Sequence, residues 1–295
     1  MGKKSEFFGC YTALVTPFKG EGVNYAAFEQ LIEWQVAQGV HGIVPSGTTG
    51  ESPTLTPQEH AEVVAHAVRA AAGRVKVMAG TGSNSTREAI AYTRHAEKAG
   101  ADAALVVAPY YNKPTQEGLY QHFKAIAEST SLPIFIYNIP GRSVVNMTDE
   151  TIARLAEIPT IAGVKDATGD LARVATLKHL VGDRLVLFSG EDMTAVGFNA
   201  MGGRGVISVV SNIAPKLASE VQNLSLAGKY DEACALQAKL VPLIQSMFIE
   251  TNPMPVKYAA SLLGKCAVDM RLPLVAPTAA TQAAVRSAMA ALQLV

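Results

Sequence analysis

Lys165 is the residue whose type and position most directly suggest chemistry. It ends the apolar run IAGV at residues 161–164, which has the composition of a buried strand. An amine at that point is partly desolvated, and desolvation favours the uncharged form, which is the nucleophile. A strand that ends in lysine often marks only the place where the chain returns to water. Lys165 alone therefore leaves both interpretations open.

A glycine- and threonine-rich segment, GTTGE at residues 47–51, also follows an apolar, strand-like run. Gly47 and Gly50 would let the backbone approach a ligand closely, so that the amides and hydroxyls of Thr48 and Thr49 could bind a carboxylate. The same composition is also typical of an ordinary turn. The segment is therefore a candidate carboxylate site, and the residues around it decide between a ligand site and an ordinary turn.

A third polar segment, YNIPGR at residues 137–142, follows another apolar run. Arg142 could bind a carboxylate in bidentate fashion, or it could be a solvated loop charge. The Tyr137 hydroxyl could relay protons if Thr48 hydrogen-bonds to it. Such a relay would serve Lys165, because a lysine that attacks a keto carbonyl forms an iminium, and the adjacent carbon then loses a proton to give an enamine nucleophile. This chemistry needs no metal and no other cofactor.

Other residues near these segments have simpler explanations. Glu51 and Asp166 are most simply charges that orient loops or cap helices. Tyr110 and Tyr111 could be core or interface aromatics as readily as site residues. The six histidines show no spacing typical of metal ligands, so no metal site is expected.

The composition favours an enzyme that acts on small molecules. Among 295 residues, Lys plus Arg and Asp plus Glu number 25 each, so the chain lacks the field that nucleic acid or an anionic membrane would attract. Three cysteines without Cys-x-x-Cys spacing argue against a disulfide framework and indicate a reducing compartment. The chain has no signal-peptide core and no apolar stretch of about 18 residues. We therefore expect a soluble, cytoplasmic protein.

Short β-rich runs alternate with stretches of helical period along the chain. The predicted strands lie at residues 12–15, 42–44, 75–78, 104–107, 134–137, 161–165, 185–188 and 205–210. Helix starts are predicted at Thr56, Ser85 and Thr148, and helix ends at Gly39, Gly73 and Gly100.

Eight strand and helix units in strict alternation predict an α/β fold, a closed (β/α)8 TIM barrel, rather than an open doubly wound sheet. We predict the barrel over residues 1–230 and a C-terminal helical extension over residues 231–295. Chemistry in this fold gathers at the C-terminal ends of the strands, where all three polar segments fall. The glycine-rich segment at residues 202–205 precedes the eighth strand, so it should lie at the opposite face and not bind phosphate.

The combined motifs resemble those of the pyruvate-dependent class I aldolase family that contains dihydrodipicolinate synthase and N-acetylneuraminate lyase. The resemblance covers essentially the whole chain and rests on the segments at residues 47–51, 109–111, 137–140 and 163–166. Residues 111–118 and 140–143 are most similar to the dihydrodipicolinate synthase branch. The resemblance implies condensation of pyruvate with L-aspartate 4-semialdehyde in lysine (diaminopimelate) biosynthesis, by a homotetramer built from tight dimers.

The resemblance also implies roles for individual residues. Lys165 would form a Schiff base with pyruvate. Thr48, Tyr137 and Tyr111 would make the proton relay, with Tyr111 supplied by the neighbouring subunit. The residues assigned to substrate binding are Thr49 for the pyruvate carboxylate, Arg142 for the carboxylate of aspartate semialdehyde, and Gly190 and the Ile207 carbonyl as lining of the pocket.

Arg142 discriminates between the main alternatives. A sister enzyme that acts on a sialic acid or another sugar acid, such as N-acetylneuraminate lyase, would use the same lysine. Such lyases generally carry a small residue in place of Arg142, because a polyol must fit there. A binding protein that kept the barrel without turnover is disfavoured, since it would not need the full relay.

Feedback inhibition by L-lysine is a further implication of the resemblance. In regulated members the lysine site lies at the dimer interface, and the matching positions here are Ser52, His60, Asn84, Glu88 and Tyr110. Glu88 could pair with the ligand ammonium, while Asn84 and Tyr110 could bind its carboxylate. Pro53 and Pro57 depart from the pattern of some regulated relatives. The alternative is a polar interface without a ligand.

Overall fold

Eight parallel strands close into a barrel in the computed structural model, which describes residues 6–295. The strands are β1 (Gly9–Ala13), β4 (Gly42–Val44), β5 (Lys76–Gly80), β6 (Ala103–Val107), β7 (Ile134–Asn138), β8 (Ile161–Asp166), β9 (Val186–Ser189) and β10 (Gly205–Ser208). A two-stranded antiparallel hairpin of β2 (Phe18–Lys19) and β3 (Gly22–Val23) follows β1. Around the barrel each strand neighbours the next in sequence, and β10 closes on β1. The predicted TIM barrel is confirmed.

Helices connect the strands and cover the barrel. They are α1 (Tyr25–Ala37), α2 (Pro57–Ala71), α3 (Thr86–Ala99), α4 (Gln116–Ala127), α5 (Pro140–Ser143), α6 (Asp149–Leu155), α7 (Ala172–Val181), α8 (Ala195–Ala200), α9 (Pro215–Leu226), α10 (Tyr230–Ser246), α11 (Met254–Leu262) and α12 (Ala279–Ala291). Within residues 6–295, none of them has both the length and the apolar character needed to cross a lipid bilayer.

Side chains fix the helix starts at the predicted positions. Thr56 and Glu59 form a reciprocal capping box at the start of α2. Ser85 accepts a backbone hydrogen bond at the start of α3, and Thr148 does so at the start of α6. Gly100 ends α3 in the left-handed conformation, with φ of 89°. These local signals are confirmed as helix boundaries.

Two of the predicted strands extend past the C-terminal ends of the strands in the structure. The first strand is Gly9–Ala13 rather than residues 12–15, and the last ends at Ser208 rather than residue 210. Leu14 and Val15 are nevertheless buried, because they pack in the layer between barrel and helices. Apolar composition therefore marked burial at these two ends and not strand conformation.

Aromatic side chains fill the interior of the barrel. The rings of Tyr11 and Phe188 lie edge to face with centroids 5.1 Å apart, and Phe135 contacts Phe188 at 5.9 Å. Phe7 packs on Phe135 from the same cluster. Because the interior is a packed core, space for a ligand must lie at an end of the barrel.

The glycine-rich segment at residues 202–205 lies at the N-terminal end of β10, as predicted. The amide of Gly9 donates to the carbonyl of Arg204 at 2.7 Å. A Cβ on Gly205 would lie 2.1 Å from the carbonyl oxygen of Gly9, so this glycine permits close approach of β1. The segment serves barrel closure.

The last three helices share a core with the barrel. Leu243 of α10, Val256 of α11 and Val285 of α12 belong to the same buried cluster as Phe28 of α1 and Ile43 of β4. The helices therefore pack directly on the barrel layer. The division at residue 230 into a catalytic barrel and an extension stays a prediction.

Candidate active site

A cavity of about 240 Å³ opens at the C-terminal end of the barrel strands. Six of the predicted site residues line it: Thr48, Thr49, Tyr137, Arg142, Lys165 and Gly190. They come from β7 and β8 and from the loops after β4, β7 and β9. Parallel strands place their carboxyl ends at one face, which explains why residues so far apart in sequence converge here.

Lys165 and Tyr137 form the centre of this cavity. They are register partners on the adjacent strands β8 and β7, and each is only 6% exposed. The Lys165 Nζ lies 3.9 Å from the centroid of the Tyr137 ring, which is cation–π distance. The strand register thus holds the amine against the face of the tyrosine.

The residue after Lys165 secures the end of β8 from the other side. Asp166 accepts hydrogen bonds from the Thr168 amide at 2.9 Å and from Arg173 Nε at 3.0 Å. Side chains alternate across a strand, so Asp166 faces the helix layer while Lys165 faces the cavity. The predicted role of Asp166 as a charge that orients a loop is confirmed by these contacts.

Two acidic residues, Glu191 and Asp192, follow Gly190. Burial raises the pKa of Glu191, as does neighbouring Asp192, whereas Lys165 and Arg142 act in the opposite direction. Burial also raises the pKa of Asp192, whose carboxylate accepts backbone hydrogen bonds at 2.9 and 3.1 Å. Glu191 itself lines the same cavity as Lys165.

The segment at residues 47–51, here called the threonine loop, is a closed turn. The amide of Gly50 donates to the carbonyl of Gly47, and the amide of Glu51 donates to that of Thr48, both at 3.1 Å. A Cβ on Gly50 would lie 3.1 Å from the carbonyl of Leu14, whereas one on Gly47 would meet only a methyl at 3.8 Å. Gly50 therefore serves packing within the protein, whereas Gly47 lines the cavity and its predicted close approach to a ligand stays a prediction.

Arg142 stands at the rim of the cavity on the short helix α5. Its Nη2 donates to the carbonyl of Asn252 at 2.9 Å. A guanidinium has five N–H donors, so most of them remain available within the described residues 6–295. Asn252 also donates from Nδ2 to Thr49 Oγ1 at 3.0 Å, which links the rim to the threonine loop.

Glu191, Phe248 and Asn252 are among the lining residues that the sequence did not identify. Glu191 follows Gly190 at the end of a strand, so its position carried a signal. Asn252 lies between α10 and α11, 203 residues from Thr49, and no local pattern indicates that contact.

Some of the predicted site residues are placed differently. Tyr111 is 90% exposed with φ of 73°, and Ile207 is buried in the barrel interior; neither lines the cavity. Within the described chain no hydrogen bond joins Thr48 to Tyr137, although both line the cavity. Catalytic hydrogen bonds often form only when substrate is bound, so the relay stays a prediction.

The five residues of the predicted lysine site lie on or near the loops after β4, β5 and β6. Asn84 Nδ2 donates to the carbonyl of Tyr110 at 3.1 Å, which brings two of them together. Glu88 accepts from Ser83 Oγ at 2.7 Å, and Ser52 begins a short 3₁₀ helix.

His60, by contrast, is already engaged by the protein. Its Nε2 lies 2.8 Å from the carbonyl of Gly80, and its ring stacks on Tyr92 with centroids 4.2 Å apart. Burial lowers its pKa to about 4, so the ring is uncharged near neutral pH. His60 can therefore contribute no positive charge to a lysine site near neutral pH. Among residues 6–295, no group of three or more His, Cys, Asp or Glu side chains is placed to hold a metal ion.

Known proteins resemble the chain over nearly its full length. The model of the dihydrodipicolinate synthetase family matches residues 6–292. The 4-hydroxy-tetrahydrodipicolinate synthase of Afipia carboxidovorans is 56% identical over 289 residues, which cover 98% of each chain.

Solved structures agree with that relationship. The chloride-inhibited dihydrodipicolinate synthase of Acinetobacter baumannii, complexed with pyruvate, superposes with a TM-score of 0.96 at 45% identity and covers 98% of this chain and 99% of its own. The enzyme of Cyanidioschyzon merolae with lysine bound gives 0.95 at 40% identity, with coverage of 98% and 99%.

Proposed function

Because the chain belongs to the dihydrodipicolinate synthetase family, we propose that Lys165 catalyses a Schiff-base condensation of pyruvate with L-aspartate 4-semialdehyde. The chain is a pyruvate-dependent class I aldolase/lyase of the 4-hydroxy-tetrahydrodipicolinate synthase type, which serves lysine biosynthesis. The observation that carries the site assignment is the Lys165 amine at the end of β8, inside the cavity and 3.9 Å from the ring centroid of Tyr137.

Lys165 performs the covalent step. Its uncharged amine attacks the keto carbon of pyruvate, the carbonyl oxygen leaves as water, and an iminium remains. Loss of a methyl proton gives the enamine, whose carbon attacks the aldehyde of the second substrate. The product amine then closes the ring by displacing Lys165 from the imine carbon, which regenerates the free enzyme.

Thr49 is suited to hold the pyruvate carboxylate. Its Oγ1 accepts a hydrogen bond from Asn252 Nδ2, which leaves the hydroxyl hydrogen free to donate to a ligand oxygen. Gly190 lines the same cavity. A carboxylate bound here would lie on the Lys165 side, with the keto carbon next to the amine.

Arg142 is suited to bind the carboxylate of the aldehyde substrate. Its guanidinium lines the cavity, and one hydrogen bond to Asn252 orients it while its other donors stay available. This arrangement favours the synthase over a sugar-acid lyase, because a cationic fork matches a carboxylate better than a polyol.

Tyr137, Thr48 and Tyr111 form the proposed proton relay. Tyr111 is 90% exposed and has a positive φ, which is uncommon for an aromatic residue and is found mostly where function requires it. A side chain presented to solvent in this way supports a role across a subunit contact. We therefore propose a homotetramer of tight dimers in which Tyr111 completes the neighbour's relay.

The proposed location is the cytoplasm. All three cysteines in the described residues are free, as expected in a reducing compartment.

We also propose that L-lysine is a feedback inhibitor. The contact of Asn84 with the Tyr110 carbonyl places two candidate ligands together, and Tyr110 directly precedes the relay residue Tyr111. The carboxylate of Glu88 could pair with the ligand ammonium. Occupancy there would reach the relay through one peptide unit.

The substrate assignment is tested by two paired assays. Pyruvate with aspartate semialdehyde should turn over, whereas pyruvate with N-acetylmannosamine should not. Borohydride should trap pyruvate on Lys165 in both mixtures, since the first half-reaction is the same. Faster turnover of the sugar would favour the lyase assignment, and no trapping at Lys165 would overturn the Schiff-base mechanism.

A further inference from the structure

A buried ion pair joins the threonine loop to the C-terminal helices. Lys257 Nζ of α11 lies 2.5 Å from Glu51 Oε1, and both side chains are fully buried. Glu51 is the last residue of the loop, and the two residues are 206 positions apart. The pair therefore fastens the segment that carries Thr48 and Thr49 to a distant part of the chain.

The surroundings leave the pair little freedom. Glu51 Oε2 accepts a hydrogen bond from the amide of Arg271 at 3.2 Å, so both carboxylate oxygens are engaged. Lys257 Nζ lies 3.9 Å from the centroid of the Phe18 ring. Burial lowers the pKa of Lys257, and the carboxylate of Glu51 acts against that effect. A different position of either side chain would leave a charge buried without its partner, which is strongly unfavourable.

The backbone at Glu51 explains why the loop needs such an anchor. Glu51 has φ of 56° and ψ of 35°, the left-handed conformation that residues other than glycine rarely adopt. Its amide donates to the carbonyl of Thr48 and closes the turn. Strained backbone of this kind persists when the surrounding structure holds it. The anchored side chain belongs to the strained residue itself.

We propose that Glu51 and Lys257 are positioning residues for the reaction. Neither lines the cavity, so they act through the threonine loop. Their ion pair holds the left-handed backbone at Glu51, and this turn directs Thr48 toward the relay and Thr49 toward the pyruvate carboxylate. The inference rests on the proposed function, which assigns those roles to the two threonines.

The nature of the pair supports positioning rather than simple stabilisation. Buried ion pairs can often be replaced by apolar residues with little loss of stability, because desolvation offsets much of their attraction. An apolar contact would also tolerate sliding of the loop. An ion pair with both oxygens engaged permits one arrangement.

The test uses the double variant Glu51→Gln/Lys257→Met in the full-length protein. This pair leaves no unpaired charge and keeps an acceptor for the Arg271 amide. Trapping of pyruvate by borohydride at saturating pyruvate should stay complete, because Lys165 is held by β8. Exchange of the pyruvate methyl hydrogens with deuterated water should fall about 10- to 100-fold, the scale for a misplacement of about 1 Å.

A control variant removes the partly exposed ion pairs of Lys76 with Asp102 and Glu6 at the opposite end of the barrel. Lys76 Nζ contacts Asp102 Oδ1 at 3.0 Å, and Asp102 also accepts from a backbone amide. The variant Lys76→Met/Asp102→Asn should keep both trapping and exchange at the parental level. A loss of folded protein would lower trapping and exchange together, so the split between them distinguishes positioning from instability.

Each outcome decides a separate point. If the parent protein is not labelled at Lys165, the proposed function fails. If the parent is labelled and the folded double variant exchanges the methyl hydrogens of pyruvate at the parental rate, the positioning role is overturned. If the double variant does not fold, the exchange of backbone amide hydrogens in the parent protein is measured at increasing urea concentrations instead. The amides of Gly50, Glu51 and Ser52 should then open together with those of α11, and independent opening at lower urea would contradict the proposal.

Discussion

The amine of Lys165 lies 3.9 Å from the ring centroid of Tyr137 because the two residues are register partners on neighbouring strands. The barrel sheet thus holds the proposed nucleophile against the ring of the residue proposed for its proton relay. A slip of one residue in register would turn one of the two side chains out of the cavity. Covalent labelling of Lys165 and substitution of Tyr137 therefore both test this site.

We expect pyruvate and borohydride to add one reduced pyruvate unit at Lys165 and at no other lysine. Lys257 is the internal control, since it is also buried but is paired with Glu51 and does not line the cavity. Peptide mass spectrometry of the parent and of Lys165→Met measures the result. Label that persists in the variant would assign the Schiff base to another residue.

Replacing Tyr137 with Phe should slow methyl hydrogen exchange of pyruvate by about 10²- to 10⁴-fold, the usual contribution of a general acid or base. The ring beneath Lys165 remains, so trapping by borohydride should persist. Tyr25→Phe is the control, because the Tyr25 hydroxyl bonds Glu62 at 2.7 Å away from the cavity. Parental exchange in Tyr137→Phe would remove this hydroxyl from the relay.

Replacing Arg142 with Ala should lower kcat/KM for aspartate semialdehyde. The expected loss of transition-state stabilisation is about 2–3 kcal/mol, because the substrate carboxylate loses a charged donor. Imine formation with pyruvate should change little. Arg154→Ala provides the control, because Arg154 pairs with Glu117 at 3.0 Å on the outer surface. Equal losses in both half-reactions would show that Arg142 acts through the structure of the rim.

The free energy of unfolding should fall as pH drops from about 6.5 to about 4. The unfolded chain protonates His60 near pH 6.5, whereas burial lowers the pKa of the folded residue to about 4. The unfolded state therefore binds more protons in this window, and His60 accounts for up to about 3 kcal/mol of lost stability. Urea unfolding of the parent and His60→Gln at pH 7 and pH 4.5 measures the difference.

The variant should lose less stability on acidification than the parent. A remaining dependence is expected from His122, because burial lowers its pKa to about 4 as well. If the free energy of unfolding depends on pH identically in the parent and the variant, His60 takes up its proton in the folded protein at the same pH as in the unfolded chain.

Lysine should inhibit the parent enzyme, and Glu88→Ala should weaken that inhibition about tenfold or more, because the ligand ammonium loses its charged partner. Inhibition curves and calorimetry with lysine test this. Glu97→Ala is the control on the same helix, since Glu97 binds Ser131 Oγ at 2.6 Å and lies outside the proposed site. No saturable binding at millimolar lysine would remove the regulatory site.

The sequence by itself determined the barrel and most of the cavity. Strand and helix periods are local, so seven of the eight strands begin within one residue of the predicted start. Parallel strands end at one face, so Thr48, Tyr137 and Lys165 had to meet once the barrel was recognised. The helix caps at Thr56 and Ser85 were equally readable, because a cap depends on residues three positions apart.

Only the tertiary structure decided what holds these residues in place. The contacts of Asn252 with Thr49 and of Lys257 with Glu51 join residues more than 200 positions apart. They depend on how α10 and α11 fold back over the barrel, and no local period encodes that path. The exposure of Tyr111 is equally a property of the assembled surface. Periodicity specifies which face of an element is buried, but the partner on that face is chosen by packing of the whole chain.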